Sequence, residues 1–480
     1  MLAEKERYFQ PCVVSLEALV PQNNFYRKVE AKLDLSFVRD LVRDCYSFRI
    51  GRPSVDPVVF FKLQLIMFFE GIRSERQLMD TVAMRLDHRW YIGYDLHEPV
   101  PDHSSLSKIR DRYGLDIFQR FFEQIVQLCI EAGLVWGQEL YFDATKVRAN
   151  ASADSMIDRW YWEARHHLRT LFEPEQTAIE QPKAKPRRLV DKYDGTRHTG
   201  RRKKTYQRTT DSKVSPTDPD ASPMKRTNQS RAKLGYHTHY VVDGGKARII
   251  LGVLVTPASI MENTPMLDMA RWVRFRWQVN PKIAVADTTY GTVANIVGLE
   301  QDGIAAYLPT PDFSQRNGLY PAELFHYDPE RDLFICPEGQ EVPLYKRSYS
   351  ENEFVYRVDA AICNACPVKS QCTHSKSGRY LRRSFFQEYL DRVKHYHETE
   401  AYKKAMRKRQ VWVEPLFGEG KQWHRLRQFL LRGLEKVNIQ GLMTAAGQNI
   451  KRLLSRKTWK PMPEPAGAMA LPVFILISSN

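Results

Sequence analysis

The run Glu139-Leu140-Tyr141-Phe142-Asp143 constrains this chain more than any other. It reads as a short apolar strand with a carboxylate near its end, followed at once by Lys146 and Arg148 and then by a polar, basic segment. A second stretch repeats the design. Lys282-Ile283-Ala284-Val285-Ala286 is a short apolar strand that runs into Asp287-Thr288-Thr289-Tyr290-Gly291. Between the two, residues 236–242 and 248–255 flank Asp243-Gly244-Gly245, a hairpin signal. A helix over about 262–277 precedes the second strand, a helix to about residue 299 follows it, and a further strand spans 304–308. This order predicts an α/β core, a mixed sheet with helices packed on it. Ligands of such sheets gather at the carboxyl ends of strands, which is where Asp143 and Asp287 are expected. Taken singly, each is equally well read as a surface aspartate in a turn.

The region ahead of this core, residues 13–135, reads as helical. Asp56-Pro57 is an N-cap followed by a first-turn proline, opening a buried helix that Gly71 ends. Ser74-Glu75-Arg76-Gln77 is a capping-box pattern for a second helix to about residue 86. Asp102 caps a third that reaches Gly114, and another amphipathic helix follows over 117–132. Short helices carrying Arg73, Arg76, Lys108, Arg110 and Arg112 suggest a helix-turn-helix-like DNA-binding domain; a packing domain without DNA contact fits the same pattern. The catalytic part is expected over 136–455, interrupted by a basic, flexible insertion at 153–232 and a cysteine-bearing insertion at 313–384, with a tail at 456–480. In the first insertion Asp218 and Asp220 are candidate outer acids, or carboxylates that stabilise a Pro-flanked turn.

Lys and Arg number 72 against 56 Asp and Glu, a net charge of +16. A basic, aromatic-rich surface points to a polyanion, nucleic acid first. Met1 to Arg7 are charged and lack an apolar core, so no signal peptide is expected, and no window reaches the length of a membrane helix.

An acidic pocket in so basic a chain is informative. Phosphodiester chemistry needs an activated nucleophile and charge stabilisation on the phosphate, and two divalent ions supply both. Mg²⁺ keeps much of its water and needs only a few carboxylates. Asp143 and Asp287 fit two strand positions, and Glu414 is the choice for a third acid on a helix, with Glu419, Glu398 and Glu400 competing. Lys421 lies seven positions after Glu414, close to two helical turns, although Pro415 disfavours helical geometry at Glu414 itself.

Tyr141-Phe142-Asp143-Ala144-Thr145, Val285-Ala286-Asp287-Thr288-Thr289-Tyr290-Gly291 and Val413-Glu414-Pro415-Leu416-Phe417-Gly418-Glu419-Gly420-Lys421 together resemble the three catalytic blocks of bacterial insertion-sequence transposases with a DDE triad. The helical region from Gly51-Arg52-Pro53 to about Phe122 also resembles that of one large group of them. The resemblance covers most of residues 15–455. It implies a ribonuclease-H-like core with Asp143, Asp287 and Glu414 binding Mg²⁺ or Mn²⁺. It further implies attack by water and then by a DNA 3′-hydroxyl, and oligomeric assembly on double-stranded terminal inverted repeats and target DNA. The implied setting is cytoplasmic and nucleoid-associated, with no membrane. Related families carry Tyr and Arg seven and four positions before the Glu. Here Arg407 and Gln410 stand there, and Arg409 is the candidate substitute. Lys421, Arg409, Lys146 and Arg148 are the expected DNA contacts.

Cys336, Cys363, Cys366 and Cys372 form a set with one C-x₂-C knuckle, which suits a tetrahedral structural Zn²⁺. His374 could replace one thiol, and similar clusters occur in this transposase group. Two alternatives to an active transposase remain open on sequence: a catalytically inactive or domesticated DNA-binding derivative, and a zinc-stabilised RNA-binding protein with Asp143 and Asp287 apart.

Overall fold

The computed structural model describes residues 13–47, 54–172, 188–193, 212–225, 231–310 and 318–455. Gly51-Arg52-Pro53, Cys12, the run Arg201-Arg202-Lys203-Lys204 and the 456–480 tail lie outside them, as do residues 173–187, 194–211 and 226–230 of the expected flexible insertion.

The core is a mixed sheet. Its strands are β1 (Glu139–Arg148), β2 (Lys233–Asp243), β3 (Ile250–Pro257), β4 (Ile283–Val285) and β5 (Ala305–Tyr307), in the order β3-β2-β1-β4-β5. β1 is antiparallel to β2 and parallel to β4, and β4 is parallel to β5. A short strand, Ser222–Met224, pairs with the start of β2. Antiparallel hairpin on one flank and parallel strands on the other, with helices packed on the faces, make a ribonuclease-H-like α/β core.

β1 is longer than its apolar run suggests. The expected strand end near Asp143 is in fact mid-strand, because β2 supplies partners from Leu140 to Arg148 whereas β4 pairs β1 only as far as Tyr141. Beyond that point, among the described residues, no strand pairs with β1 on that side until residues 427–429 reach Arg148, and Asp143 stands in the gap. The helix expected from about residue 262 begins instead at Met266, which leaves residues 258–265 as a loop out of β3.

The three N-terminal capping signals are present. Asp56 accepts from the Val58 N–H at 2.8 Å with Pro57 opening α1 (Pro57–Phe69). Ser74 accepts from the Gln77 N–H at 3.1 Å at the start of α2 (Glu75–Met84), and Asp102 accepts from the Ser104 N–H at 2.8 Å. The two helices expected around Gly114 are there: the stretch His103–Glu131 is broken at Gly114, whose backbone is non-helical at φ 62°, a conformation glycine adopts at little cost.

The last helix, Leu434–Ser455, holds the layers together. It is buried along most of its length, facing β3 on one side and the N-terminal helices on the other. Gly441 permits the first contact, since a Cβ there would lie 2.9 Å from Val255. Gly447 permits the second, with Phe68 ring carbons 2.4 Å from such a Cβ. Two asparagines bind the sheet directly. Asn438 accepts from the Val255 N–H at 2.8 Å and donates to its carbonyl at 2.9 Å; Asn449 does the same to Ile250, at 2.9 Å and 2.9 Å. The spacing matches: eleven helical residues at about 1.5 Å and five strand residues at about 3.3 Å both span roughly 16 Å. β3 is the edge strand, so the side-chain amides satisfy backbone groups that would otherwise be buried without partners.

Asp218 and Asp220 belong to this helix too. Asp218 accepts from the Tyr236 hydroxyl at 2.6 Å and the Gly433 N–H at 3.0 Å, and Asp220 from the Leu434 N–H at 2.7 Å. They anchor the helix start rather than serving as outer acids of the pocket, a role more than two hundred positions away that neither sequence option described.

The cysteine-bearing segment folds as its own antiparallel sheet of five strands between His326 and Ser384, with a small separate hydrophobic cluster.

Candidate active site

Two beyond the last β1–β4 pair, Tyr141 with Val285, stand Asp143 on β1 and Asp287 after β4. The parallel register therefore carries both aspartates to the same edge. Asp287 accepts from the Thr289 N–H at 2.8 Å and so caps the 3₁₀ turn Thr288–Tyr290. Asp143 is only 15% exposed, and burial pushes it up to about 7. The Arg409 guanidinium opposes that shift, while Asp287 and Glu262 reinforce it.

Arg409 links the third acid to this edge. It lies on the helix Glu400–Trp412, with Nη1 3.7 Å from Asp143 Oδ2 and Nη2 3.5 Å from Glu414 Oε1. Its side chain is 12% exposed against 55% for Glu414, so a mostly buried cation spans a buried carboxylate and an exposed one. Glu414 is the first residue of the helix Glu414–Trp423 and Pro415 the second. That resolves the proline objection, because a first-turn proline breaks no hydrogen bond. Lys421 sits on the same helix, about 10 Å along the axis and on nearly the same face as Glu414.

The competing acids are elsewhere. Glu419 binds Lys451 at 2.5 Å, Arg452 at 3.3 Å and His424 at 3.5 Å. Burial would raise it, but these partners hold it well below the usual carboxylate range. Glu398 and Glu400 are exposed and paired with neighbours on or beside their own helices.

Sequence reasoning missed two members of the group. Glu262, in the loop after β3, is raised by burial and then by Asp287, with Lys146 and the Thr289 side chain opposing. Tyr290 is 2% exposed, and its hydroxyl has no hydrogen-bond partner among the described residues. Burial raises it well above its ordinary range, and Asp143, Glu262 and Asp287 each add to the shift, so the hydroxyl stands amid three carboxylates. The usable signal was His237-Thr238-His239 on β2, two histidines at strand spacing with no solvent-facing reason to be there.

Of the expected DNA contacts, Lys146 lies on β1 with its ammonium 3.3 Å from the Lys225 carbonyl, and Arg148 is exposed at the strand end. The donor set at the edge is all hard oxygen, the kind Mg²⁺ and Mn²⁺ take. Among the described residues, however, no three His, Cys, Asp or Glu side chains are gathered closely enough to hold one ion.

The same holds for the thiols. The Cys372 thiol is raised by burial and, after Arg379, feels Cys363, Cys336 and Cys366, so all four belong to one neighbourhood. The Gln340 N–H donates to Cys336 Sγ at 3.3 Å and the Arg379 N–H to Cys363 Sγ at 3.4 Å. His374 is exposed.

A mixed sheet of this topology, with acids at the β1–β4 edge, has the architecture of a ribonuclease-H-like core. Two families match the chain in part. The family described as Transposase DDE domain matches residues 335–454, and the one described as Transposase domain (DUF772) matches residues 14–112. The chain is thus similar, over two separate stretches, to the N-terminal domain and the DDE domain of insertion-element transposases. No curated protein and no solved structure matches it. No described helix is long and apolar enough to cross a membrane.

Proposed function

We propose that this chain is an active transposase that binds the ends of its element and carries out divalent-metal-dependent DNA cleavage and strand transfer through Asp143, Asp287 and Glu414. The observation that carries this reading is the Arg409 bridge, which ties the helix acid to the strand acid, beside a register that aligns the second aspartate. Loss of any one acid, expected of an inactive derivative, is not seen in the sequence.

Asp143, Asp287 and Glu414 would hold Mg²⁺ or Mn²⁺, and the bound ions would activate the attacking oxygen and stabilise the leaving one. The chain's own residues do the rest. β1 and β4 fix the two aspartates on rigid elements. Arg409 holds Glu414 toward Asp143 and lowers the charge density of the pair, which favours approach of a phosphate. Lys421, two turns up the same helix, offers a cation to the DNA backbone on the side where Glu414 is exposed. Lys146 and Arg148 add further cations on β1, on the strand face opposite to that of Asp143.

Asp143→Ala and Asp287→Ala should abolish cleavage of an element end in Mg²⁺ while leaving end binding intact in a band shift. Cleavage at the parent rate by either variant removes the triad from the mechanism. Lys421→Ala should weaken the band shift and reduce its dependence on salt, since each phosphate contact releases counterions. An unchanged salt slope counts against that contact.

We read Cys336, Cys363, Cys366 and Cys372 as a structural Zn²⁺ site, supported by the two N–H···S bonds and the shared neighbourhood of the thiols. Metal analysis of the purified chain should give about one zinc per chain, lost in Cys363→Ser. Equal zinc in both ends this reading.

A further inference from the structure

The loop between β3 and the helix Met266–Trp277 is held far more firmly than a connection of its length requires. Two buried histidines on β2, on one face because strand side chains alternate, grip its backbone. His237 Nδ1 donates to the Ile260 carbonyl at 3.0 Å. The His239 ring donates to the Glu262 carbonyl, with its Nε2 at 2.9 Å from Thr256 Oγ1. Burial lowers both rings, which keeps them neutral and able to serve as fixed donors.

The other side of the loop is tied to the turn that follows Asp287. Asn263 Nδ2 donates to the Thr289 carbonyl at 2.8 Å. Asn295 Nδ2 donates to the Asn263 and Tyr290 carbonyls, both at 3.1 Å, and so bridges loop and turn. The Glu262 carboxylate reaches the Thr289 side chain and lies within the field of Asp287. A half-buried acid has thus been fixed next to another acid, which by itself is unfavourable. Beside them is the Tyr290 hydroxyl, almost fully buried, without a partner among the described residues, and raised further by Asp143, Glu262 and Asp287. Leaving a buried hydroxyl unsatisfied is unfavourable, so a group that accepts from it in this space would stabilise the fold.

We propose that Glu262 is a fourth carboxylate of the active site, sharing with Asp287 the divalent cation on that side, with the Tyr290 hydroxyl donating into the same group. This rests on the metal-dependent reading above and deepens it. The site then has two halves: Asp143 and Glu414 joined through Arg409, and Asp287 and Glu262 joined through the Thr288–Tyr290 turn.

Calorimetric titration of Mn²⁺ into the full chain tests this, with Glu262→Gln, Tyr290→Phe and Asp143→Asn as arms and thermal melts in EDTA alongside. Glu262→Gln should bind Mn²⁺ about 10- to 100-fold more weakly than the parent, the range seen when a group supporting a metal is lost. Its melting midpoint in EDTA should be equal or higher, because one of two crowded charges is gone. Tyr290→Phe should weaken binding less. If Glu262→Gln takes up Mn²⁺ as the parent does while Asp143→Asn does not, Glu262 is no part of the site and the triad stands alone. If Asp143→Asn also binds like the parent, the metal-dependent reading fails, and the role of Glu262 with it. A lowered midpoint in EDTA with unchanged Mn²⁺ affinity makes Glu262 a structural residue and overturns the proposal.

Discussion

Asp143 carries its charge at a cost. Burial pushes it up to about 7, against roughly 4 in an unfolded chain. An acid whose folded pKa is raised binds more protons folded than unfolded. Its favourable contribution is therefore complete at low pH and is lost as pH rises from about 4 through 7. In EDTA, Asp143→Asn should gain about 2–4 kcal/mol over the parent at pH 8, and this gain should vanish near pH 4. Denaturant melts across that range check it, and a variant weaker at every pH would make the aspartate a packing residue. Arg409 opposes the rise, so Arg409→Gln should move the pH midpoint of Mn²⁺ uptake upward, since ions bind the ionised carboxylate. A midpoint that stays put would separate Arg409 from Asp143.

Among the elements, the helix Leu434–Ser455 decides how sheet and helical layer meet. Asn449→Ala removes both partners of Ile250's backbone and should cost about 3 kcal/mol, with Asn438→Ala similar. Gly447→Val pushes a branched side chain against Phe68 and should cost at least 1–3 kcal/mol. Chemical denaturation measures each, and neutral substitutions would mean the helix sits less tightly than the geometry says. None of this was legible in the sequence. Helix starts at Asp56, Ser74 and Asp102, the hairpin around Gly244 and the strand before Asp287 were legible, because each depends on neighbours within a few residues. The true length of β1 was not, since β2 supplies it from almost a hundred positions away. The start of the helix at Met266 was missed because the histidines that pin the preceding loop belong to another strand. Asp143, Asp287 and Glu414 stood out through their motifs. Glu262 and Tyr290 stand out only once the turn and loop are side by side.

On the scale of the molecule there are two cores. One runs continuously from the N-terminal helices through the sheet to the last helix; the other, small, belongs to the five-stranded cysteine sheet. Heating should therefore give one large transition for the first and a separate small one for the second, with a zinc chelator moving only the small one. Differential scanning calorimetry reads this directly, and a single transition displaced as a whole by the chelator would show the cores to be coupled. The joint core also packs the helices of residues 57–131 and the mixed sheet into one body.

The two asparagine amides on β3 have a final consequence. With Ile250 and Val255 already bound by a helix of the same chain, the β3 edge of this sheet offers little template on which a neighbour could add a strand of its own. A strand added by another copy of this chain would have to enter elsewhere than at β3.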